Sequence, residues 1–423
     1  MRKVLLGCIA DDFTGATDLA SNLVRSGMRV VQTIGIPAQA LSEDCDAVVI
    51  ALKTRTVAAS DAISQSLQAL TWLQAQGAQQ FYFKYCSTFD STPEGNIGPV
   101  TEALMDALDE TFTIASPAFP ENGRTIFKGH LFVGDVLLSA SGMKDHPLTP
   151  MRNSNLVQVL QEQTKRQVGL IEYSTVTKGP LAIRERISQL KKQGIGLAIV
   201  DALSNEDLMK LGPALADLRL ITAGSGVAIG LAQNFGIESS DQAAQLPRAN
   251  GRKAIISGSC SIATNAQVAH FLAQGGAGFA IDPLSLSQGQ PTLDHAMRWV
   301  EQQSPDHPVL IYATATPESV RAVQSQLGVA QAGAMVEEAL SGIAKCLVSR
   351  GIHQLVVAGG ETSGACVKAL GIESMRIGTA IAPGVPWCHA PSPFAQGGHL
   401  HITLKSGNFG TEDFFTQAFQ KLA

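Results

Sequence analysis

At 423 residues, 45% hydrophobic and only 16% charged, the chain is longer than one typical core supports and reads as a two-domain globular protein. A formal net charge of −5 without any Lys/Arg block excludes a nucleic-acid footprint. No run approaches the roughly 18 apolar residues of a spanning helix, which leaves small molecules as the expected partners.

The first strand is expected at 4–10, "VLLGCIA", and it ends on two adjacent carboxylates, Asp11 and Asp12. The opening "MRKVLLGCIADDF" imitates an export signal, but that acidic pair interrupts it and no small-residue cleavage site follows. A helix is expected next, with Ala16, Leu19, Ala20 and Leu23 on one face, Thr14 or Asp12 as its cap and Gly27 at its end. Further buried strands are read at 47–52, 80–85, 196–202 and 219–226. Strands alternating with helix-length segments predict a largely parallel sheet flanked by helices. The polar stretch 238–252, with Pro247 and Gly251, separates a domain over 1–240 from a second over 251–423. The second has its own strands at 253–257, 278–282, 309–314, 354–360 and 399–407. Cysteines at 8, 45, 86, 260, 346, 366 and 388 form no CxxC pair and read as reduced core thiols of a cytoplasmic protein.

Ligands of open α/β sheets bind beyond the carboxyl ends of the strands, and the unusual residues gather there. In the first domain these are Asp11 and Asp12, then Lys53 and Arg55, then Lys84, Ser87, Thr88, Asp90, Ser91, Thr92 and Asn96. Cations beside hydroxyls, carboxylates and an amide suit a small oxygen-rich anion such as a sugar acid. Asp12 is equally well explained as a plain helix cap, and Lys53 or Arg55 alone as a solvated charge. The segment 83–99 is too long and too polar for a simple turn.

In the second domain, "SGSCS" (257–261), "AGGETSG" (358–364), "IAPGVPW" (381–387) and "LKSGNFG" (404–410) combine glycine with small hydroxyl residues or lysine. Such turns suit phosphates. Glu361 is placed to hold a magnesium ion through water or to grip a ribose hydroxyl, and Lys405 to meet a phosphate. There is no Walker loop, and "GSGVAIG" (224–230) lacks dinucleotide spacing, which counts against a sugar-acid dehydrogenase. His399 and His401 share a strand face with no third ligand evident. The opening also evokes phosphatases with a D-x-D nucleophile, but Phe13 occupies the second position. A non-catalytic solute receptor would not need the second set of phosphate-type turns.

The strings "IADDFTGATDLA", "ALKTRT", "YFKYCSTFDSTPEGNIGPVTEAL", "TAGSGVAIGLA", "ISGSCSIATNAQVAH", "VVAGGETSG", "IAPGVPW" and "LKSGNFG" together resemble the four-carbon acid-sugar kinases, most closely the 3-oxo-tetronate 4-kinase branch. The likeness runs over about 4–415. It implies an N-terminal domain for the acid sugar, a C-terminal domain for ATP with Mg²⁺, and an active site in the cleft between them. It also implies transfer to the 4-hydroxyl of a 3-oxo-tetronate; a non-oxidised tetronate such as threonate is the alternative acceptor. The catalytic role falls to Asp12 or Asp11, and the acid sugar to Arg55, Lys84, Ser87, Thr88, Asp90 and Asn96. ATP falls to Ser257, Ser259, Gly359, Gly360, Glu361, Thr362, Ser363, Gly384, Lys405 and Gly407. His130 is weighed evenly between a substrate-facing and a structural role. A homodimer is the default expectation for such an enzyme.

Overall fold

The computed structural model describes residues 4–41, 44–146 and 149–422. The two basic residues at the extreme N-terminus, Arg2 and Lys3, lie outside them. The chain divides into two compact units, 1–244 and 245–423.

In the first unit the chain runs β1 (Leu6–Ala10), α1 (Phe13–Arg25), β2 (Val30–Ile34), β3 (Ala47–Ala51), α2 (Ala59–Ala75), β4 (Gln80–Lys84), α3 (Ile97–Ala107) and β5 (Thr113–Ser116). A small antiparallel sheet comes next, β6 (Arg124–Phe127), β7 (His130–Val133) and β8 (Val136–Leu137). Then come α4 (Leu156–Gln161), β9 (Gln167–Ile171), α5 (Tyr173–Val176), α6 (Pro180–Lys192), β10 (Ile195–Val200), α7 (Asn205–Ala214) and β11 (Leu220–Ala223). The main strands lie in the order β2-β3-β1-β4-β11-β5-β10-β9, and their pairings are parallel. β1, β3 and β4 are buried at every position, which is why they read as continuous apolar runs rather than alternating ones. Register aligns their carboxyl ends. Ala10 sits opposite both Ala51 and Lys84, and Lys84 opposite Ala223, so Asp11, Leu52, Tyr85 and Gly224 leave the sheet along one edge.

The second unit runs β12 (Arg252–Ser257), α8 (Ile262–Ala273), β13 (Ala277–Ala280), α9 (Pro283–Ser287), α10 (Thr292–Glu301), β14 (Val309–Tyr312), α11 (Pro317–Leu327) and α12 (Val329–Ser349). It continues with β15 (Ile352–Ala358), α13 (Gly360–Ala369), β16 (Ser374–Ala382), β17 (Val385–Pro391), β18 (His399–Lys405) and α14 (Phe414–Gln420). The order is β13-β14-β12-β15-β18-β17-β16, parallel through β18 and antiparallel beyond it. Here too the strand ends share a register: Ala280 faces Tyr312, Tyr312 faces Ser257, Ser257 faces Ala358, and Ala358 faces Lys405. One face is closed by Ile255, Phe271, Trp387, Phe414, Phe415 and Phe419, with the Trp387 indole N–H donating to the Ala418 carbonyl at 2.7 Å. That cluster contains Ile381 and Val385. The segment read as a phosphate-type turn at 381–387 is therefore a hairpin joining β16 to β17, with Gly384 at φ +76° providing the reversal.

Candidate functional site

In the first unit the carboxylate pair divides its work. Asp12 has extended backbone and caps α1, accepting the Gly15 N–H at 3.1 Å and the Thr14 hydroxyl at 3.0 Å. Asp11 is buried and takes a two-pronged contact from Arg55, Nε and Nη2 each at 2.8 Å. The same Nη2 reaches Asp12 Oδ1 at 2.7 Å, and Lys84 Nζ stands 3.6 Å from that oxygen. Two carboxylates and two cations thus interlock at the strand edge.

Their charges are set by this geometry. Burial would raise the Asp12 pKa, but Arg55 and Lys84 outweigh it and hold the carboxyl well below its usual range. For Asp11 burial wins and the pKa is raised despite Arg55. Burial also opposes the Arg55 charge, yet the two aspartates lift its pKa well above the ordinary value. Gly15 makes the approach possible: a Cβ there would come within 3.0 Å of both Lys84 Nζ and Asp12 Oδ1.

The polar segment after β4 closes the same edge. Phe89 sits at φ +53°, a left-handed conformation costly for a bulky residue, and its fully buried ring packs edge-on against Tyr85. On either side of this anchor, the Thr88 hydroxyl donates to Asp90 at 2.5 Å. Asn96 donates its amide to the carbonyls of Thr54, Arg55 and Val57, at 2.7, 3.3 and 2.9 Å, and so fixes the loop that carries Arg55. Asp11, Thr54, Arg55, Asp90, Ser91 and Asn96 line one small cavity. Ser91 Oγ and Asn96 Oδ1 are buried there without a partner among the described residues. Ser87 lies half-buried on the same segment. His130 lies on the β6–β8 sheet, its ring nitrogen 2.9 Å from the Lys128 carbonyl.

In the second unit three of the four glycine-rich turns meet. Gly258 and Ser259 donate their N–H groups to the Ala358 carbonyl, and Gly359 donates to the Lys405 carbonyl at 2.8 Å. A Cβ on Gly359 would lie 3.1 Å from the Ser259 nitrogen, and one on Gly407 would lie 2.6 Å from Ser259 Oγ. Gly359, at φ +124°, opens α13, so Gly360, Glu361, Thr362 and Ser363 form its first turn. Ser257 bonds Thr314 at 2.6 Å beneath. Beside these turns opens a cavity of about 540 Å³, lined by Gly258, Glu361, Thr362 and Thr314 and walled by Tyr312, Val320, Val323, Ala332 and Val336. An apolar pocket of this size with a few convergent polar groups suits a heterocyclic ligand. Gly384 does not line it. Lys405 is fully buried, and burial pushes its ammonium down to about 7. Its ammonium faces inward onto backbone carbonyls, not outward as a direct phosphate contact would require. Among the described residues no group of three His, Cys, Asp or Glu could hold a metal ion, and no helix is long and apolar enough to cross a membrane.

Residues 6–231 match a sugar-binding N-terminal domain, and residues 254–415 a nucleotide-binding C-terminal domain. A 3-oxo-tetronate kinase of Burkholderia multivorans is 56% identical, over 99% of this chain and 98% of its own. One of Pseudomonas fluorescens is also 56% identical, over 100% and 98%. The chain belongs to the four-carbon acid-sugar kinase family. A solved structure from Salmonella typhimurium LT2, provisionally described as a tRNA synthase, is 45% identical, covers 98% of this chain and 99% of its own, and superposes with a TM-score of 0.90.

Against the family's two-domain plan, several polar residues on the helices that follow β1 and β12 escaped sequence reasoning. Asp18 accepts the Ser225 hydroxyl at 2.5 Å, leaves its other oxygen buried without a partner among the described residues, and is pushed up to about 6 by burial. The signal was a polar stripe, Thr17, Asp18, Ser21 and Asn22, on a helix buried along both faces. Ser261, which caps α8, forms a second such stripe with Thr264 and Gln267 on that helix, at three-residue spacing that puts them on one helix face.

Proposed function

We propose that the chain is an ATP-dependent kinase that phosphorylates the 4-hydroxyl of 3-oxo-tetronates in four-carbon acid-sugar catabolism. The observation that carries this reading is 56% identity, across essentially the whole chain, to relatives named 3-oxo-tetronate kinase. The formal net charge of −5 and the absence of a basic block in the sequence favour it over an RNA-directed enzyme.

In this reading the acid sugar lies at the Asp11–Asp12–Arg55–Lys84 edge, with Asp90 and Ser87 taking its hydroxyls and the orphaned Ser91 and Asn96 oxygens facing it or its water. Arg55 spends two nitrogens on Asp11, so Lys84 is the better cation for the substrate carboxylate. Asn96 and Thr88 act by holding Arg55 and Asp90 in place. Asp12 stays ionised, and a carboxylate that stays ionised remains a hydrogen-bond acceptor for the attacking hydroxyl. Phosphoryl transfer asks chiefly for such positioning and charge neutralisation, with proton removal late. Asp11, with its raised pKa, is the second candidate to take the proton.

ATP fits the second unit: the cavity takes the base, and the turns at 257–259, 359–363 and 407 take the phosphates. Mg²⁺ supplies charge neutralisation on the phosphoryl oxygens. It is usually held by phosphates and water with one or two carboxylates, and Glu361 on the first turn of α13 is the residue placed to assist. The acceptor hydroxyl and the transferred phosphate must meet for in-line transfer. We place the enzyme in the cytoplasm as a homodimer, testable by light scattering.

The deciding experiment is a coupled ADP-release assay with a panel of D- and L-series 3-oxo-tetronates, threonate and erythronate. ATP-dependent turnover of a 3-oxo-tetronate is expected. Release with threonate alone would move the acceptor assignment, and no release with any acid would defeat the proposal.

A further inference from the structure

Lys405 presents a puzzle that its sequence position does not. Its ammonium is completely buried, yet among the described residues no carboxylate is hydrogen-bonded to it. Its partners are the Thr264 hydroxyl at 3.0 Å and the carbonyls of Ser406, Gly407 and Phe409 at 3.0, 3.0 and 3.1 Å. Three N–H donors already serve four acceptors, so none is left for a ligand. α8 pulls in the same direction. Ser261 and Thr264 donate to the Gly407 carbonyl at 2.6 and 2.8 Å, and the Gln267 amide lies 3.0, 3.1 and 3.0 Å from the carbonyls of Phe409, Gly410 and Thr411.

A trans peptide unit is planar, and its C=O and N–H point in opposite directions. Carbonyls 406 and 407 drawn toward Lys405 therefore turn the N–H groups of Gly407 and Asn408 away from it. Among the described residues no hydrogen bond uses either N–H as donor. Gly407, without a side chain, brings this peptide pair against Ser259, beside the Gly359 turn. Successive outward N–H groups of this kind make an anion-binding nest.

We propose that Lys405 is a positioning residue that builds the nucleotide's phosphate seat without touching it. It holds the 406–409 carbonyls inward so that the Gly407 and Asn408 amides face the anion. The inference rests on the kinase reading only for the identity of that anion. Ser261, Thr264 and Gln267 are its partners in the same task, and one amine bonded to three carbonyls fixes peptide orientation where a hydroxyl or a methyl could not.

The test uses the full chain with inorganic tripolyphosphate as probe, so that no acceptor is needed. In wild type, tripolyphosphate should shift the ¹⁵N–¹H signals of Gly407 and Asn408. Lys405→Met should weaken tripolyphosphate and raise the KM for ATP by about tenfold or more, the scale of lost hydrogen bonds to a charged group, with the acid-sugar KM unmoved. Lys405→Arg, which keeps the charge, should recover part of the loss. A folded Lys405→Met protein that binds tripolyphosphate like wild type overturns the proposal. So does binding that leaves both amide signals where they were, since the anion would then sit elsewhere or on the lysine itself. If Lys405→Met does not fold, the wild-type amide shifts still decide, and Thr264→Val, which removes one hydroxyl from the same carbonyl cluster, should weaken the probe to a lesser degree. Amide shifts in a protein that phosphorylates no tetronate would leave this inference standing and end the kinase reading. Turnover without amide shifts would do the reverse.

Discussion

Replacing Gly15 by alanine pits local propensity against the geometry of the charged edge. In an exposed helix the change should stabilise by about 1 kcal/mol. Here the new Cβ would come within 3.0 Å of Lys84 Nζ and Asp12 Oδ1, and the Lys84 side chain, only 4% exposed, has no solvent to retreat into. Breaking a buried ion pair from one side costs about 3–5 kcal/mol. Less the propensity gain, Gly15→Ala should lose about 2–4 kcal/mol, which at a slope of about 2 kcal/mol per M is a fall of roughly 1–2 M in the urea midpoint. Denaturation followed by circular dichroism reads that directly. Steady-state kinetics on the same protein should show kcat/KM for the acid sugar down by about tenfold or more while the KM for ATP stays put, because the damage is confined to positioning in the first unit. A variant as stable as wild type, with unaltered acid-sugar kinetics, would mean that Lys84 swings aside freely. The four charged groups would then not act as a unit.

Three further outcomes are expected. Asp12→Asn preserves a good helix cap but removes the charge that faces Arg55 and Lys84, so stability should fall together with kcat, the latter by about a hundredfold or more; an unchanged kcat takes Asp12 out of the chemistry. Gly258→Ala would drive a Cβ to 2.9 Å from Leu340 Cδ1 and closer still to the Thr362 hydroxyl, displacing the first turn of α13. Its KM for ATP should rise by about tenfold with the acid-sugar KM unmoved, and an unmoved ATP KM would separate that turn from the nucleotide. The raised pKa of Asp18, about 6, means the folded state keeps its proton in a window where the unfolded chain has lost it. Its contribution to stability is therefore present below the ordinary carboxylate value and lost as pH rises through 6. Asp18→Asn should abolish that loss in urea titrations at pH 5 and 7, and an identical slope in wild type and variant would assign it to another group.

The architecture was legible where burial on both faces left continuous apolar runs, as in β1, β3, β4, β12 and β15. It was hidden where the sheet turns antiparallel. Pro386 and Pro391 in β17 and Gly384 in its turn carry the composition of a loop, yet Trp387 and Val385 are core residues, which only the tertiary packing reveals. The edge residues Asp11, Asp12, Arg55, Lys84 and Asp90 stood out because charge at a strand end is conspicuous. Their division of labour did not: Arg55 looked like a substrate clamp until its nitrogens were found on Asp11. Lys405 shows the same limit. A lysine in a glycine-rich turn suggests an outward cation, and direction is a property of the folded backbone.

The clasp made by Asn96 joins stretches of chain some forty positions apart. One amide bound to three carbonyls makes the 54–57 loop and the start of α3 a single mechanical piece, so neither can change length or path alone. A relative that widened its acceptor range by remodelling the Arg55 loop would have had to redesign the far segment in the same step. Variants sought by directed evolution should accordingly be drawn from paired libraries spanning both stretches.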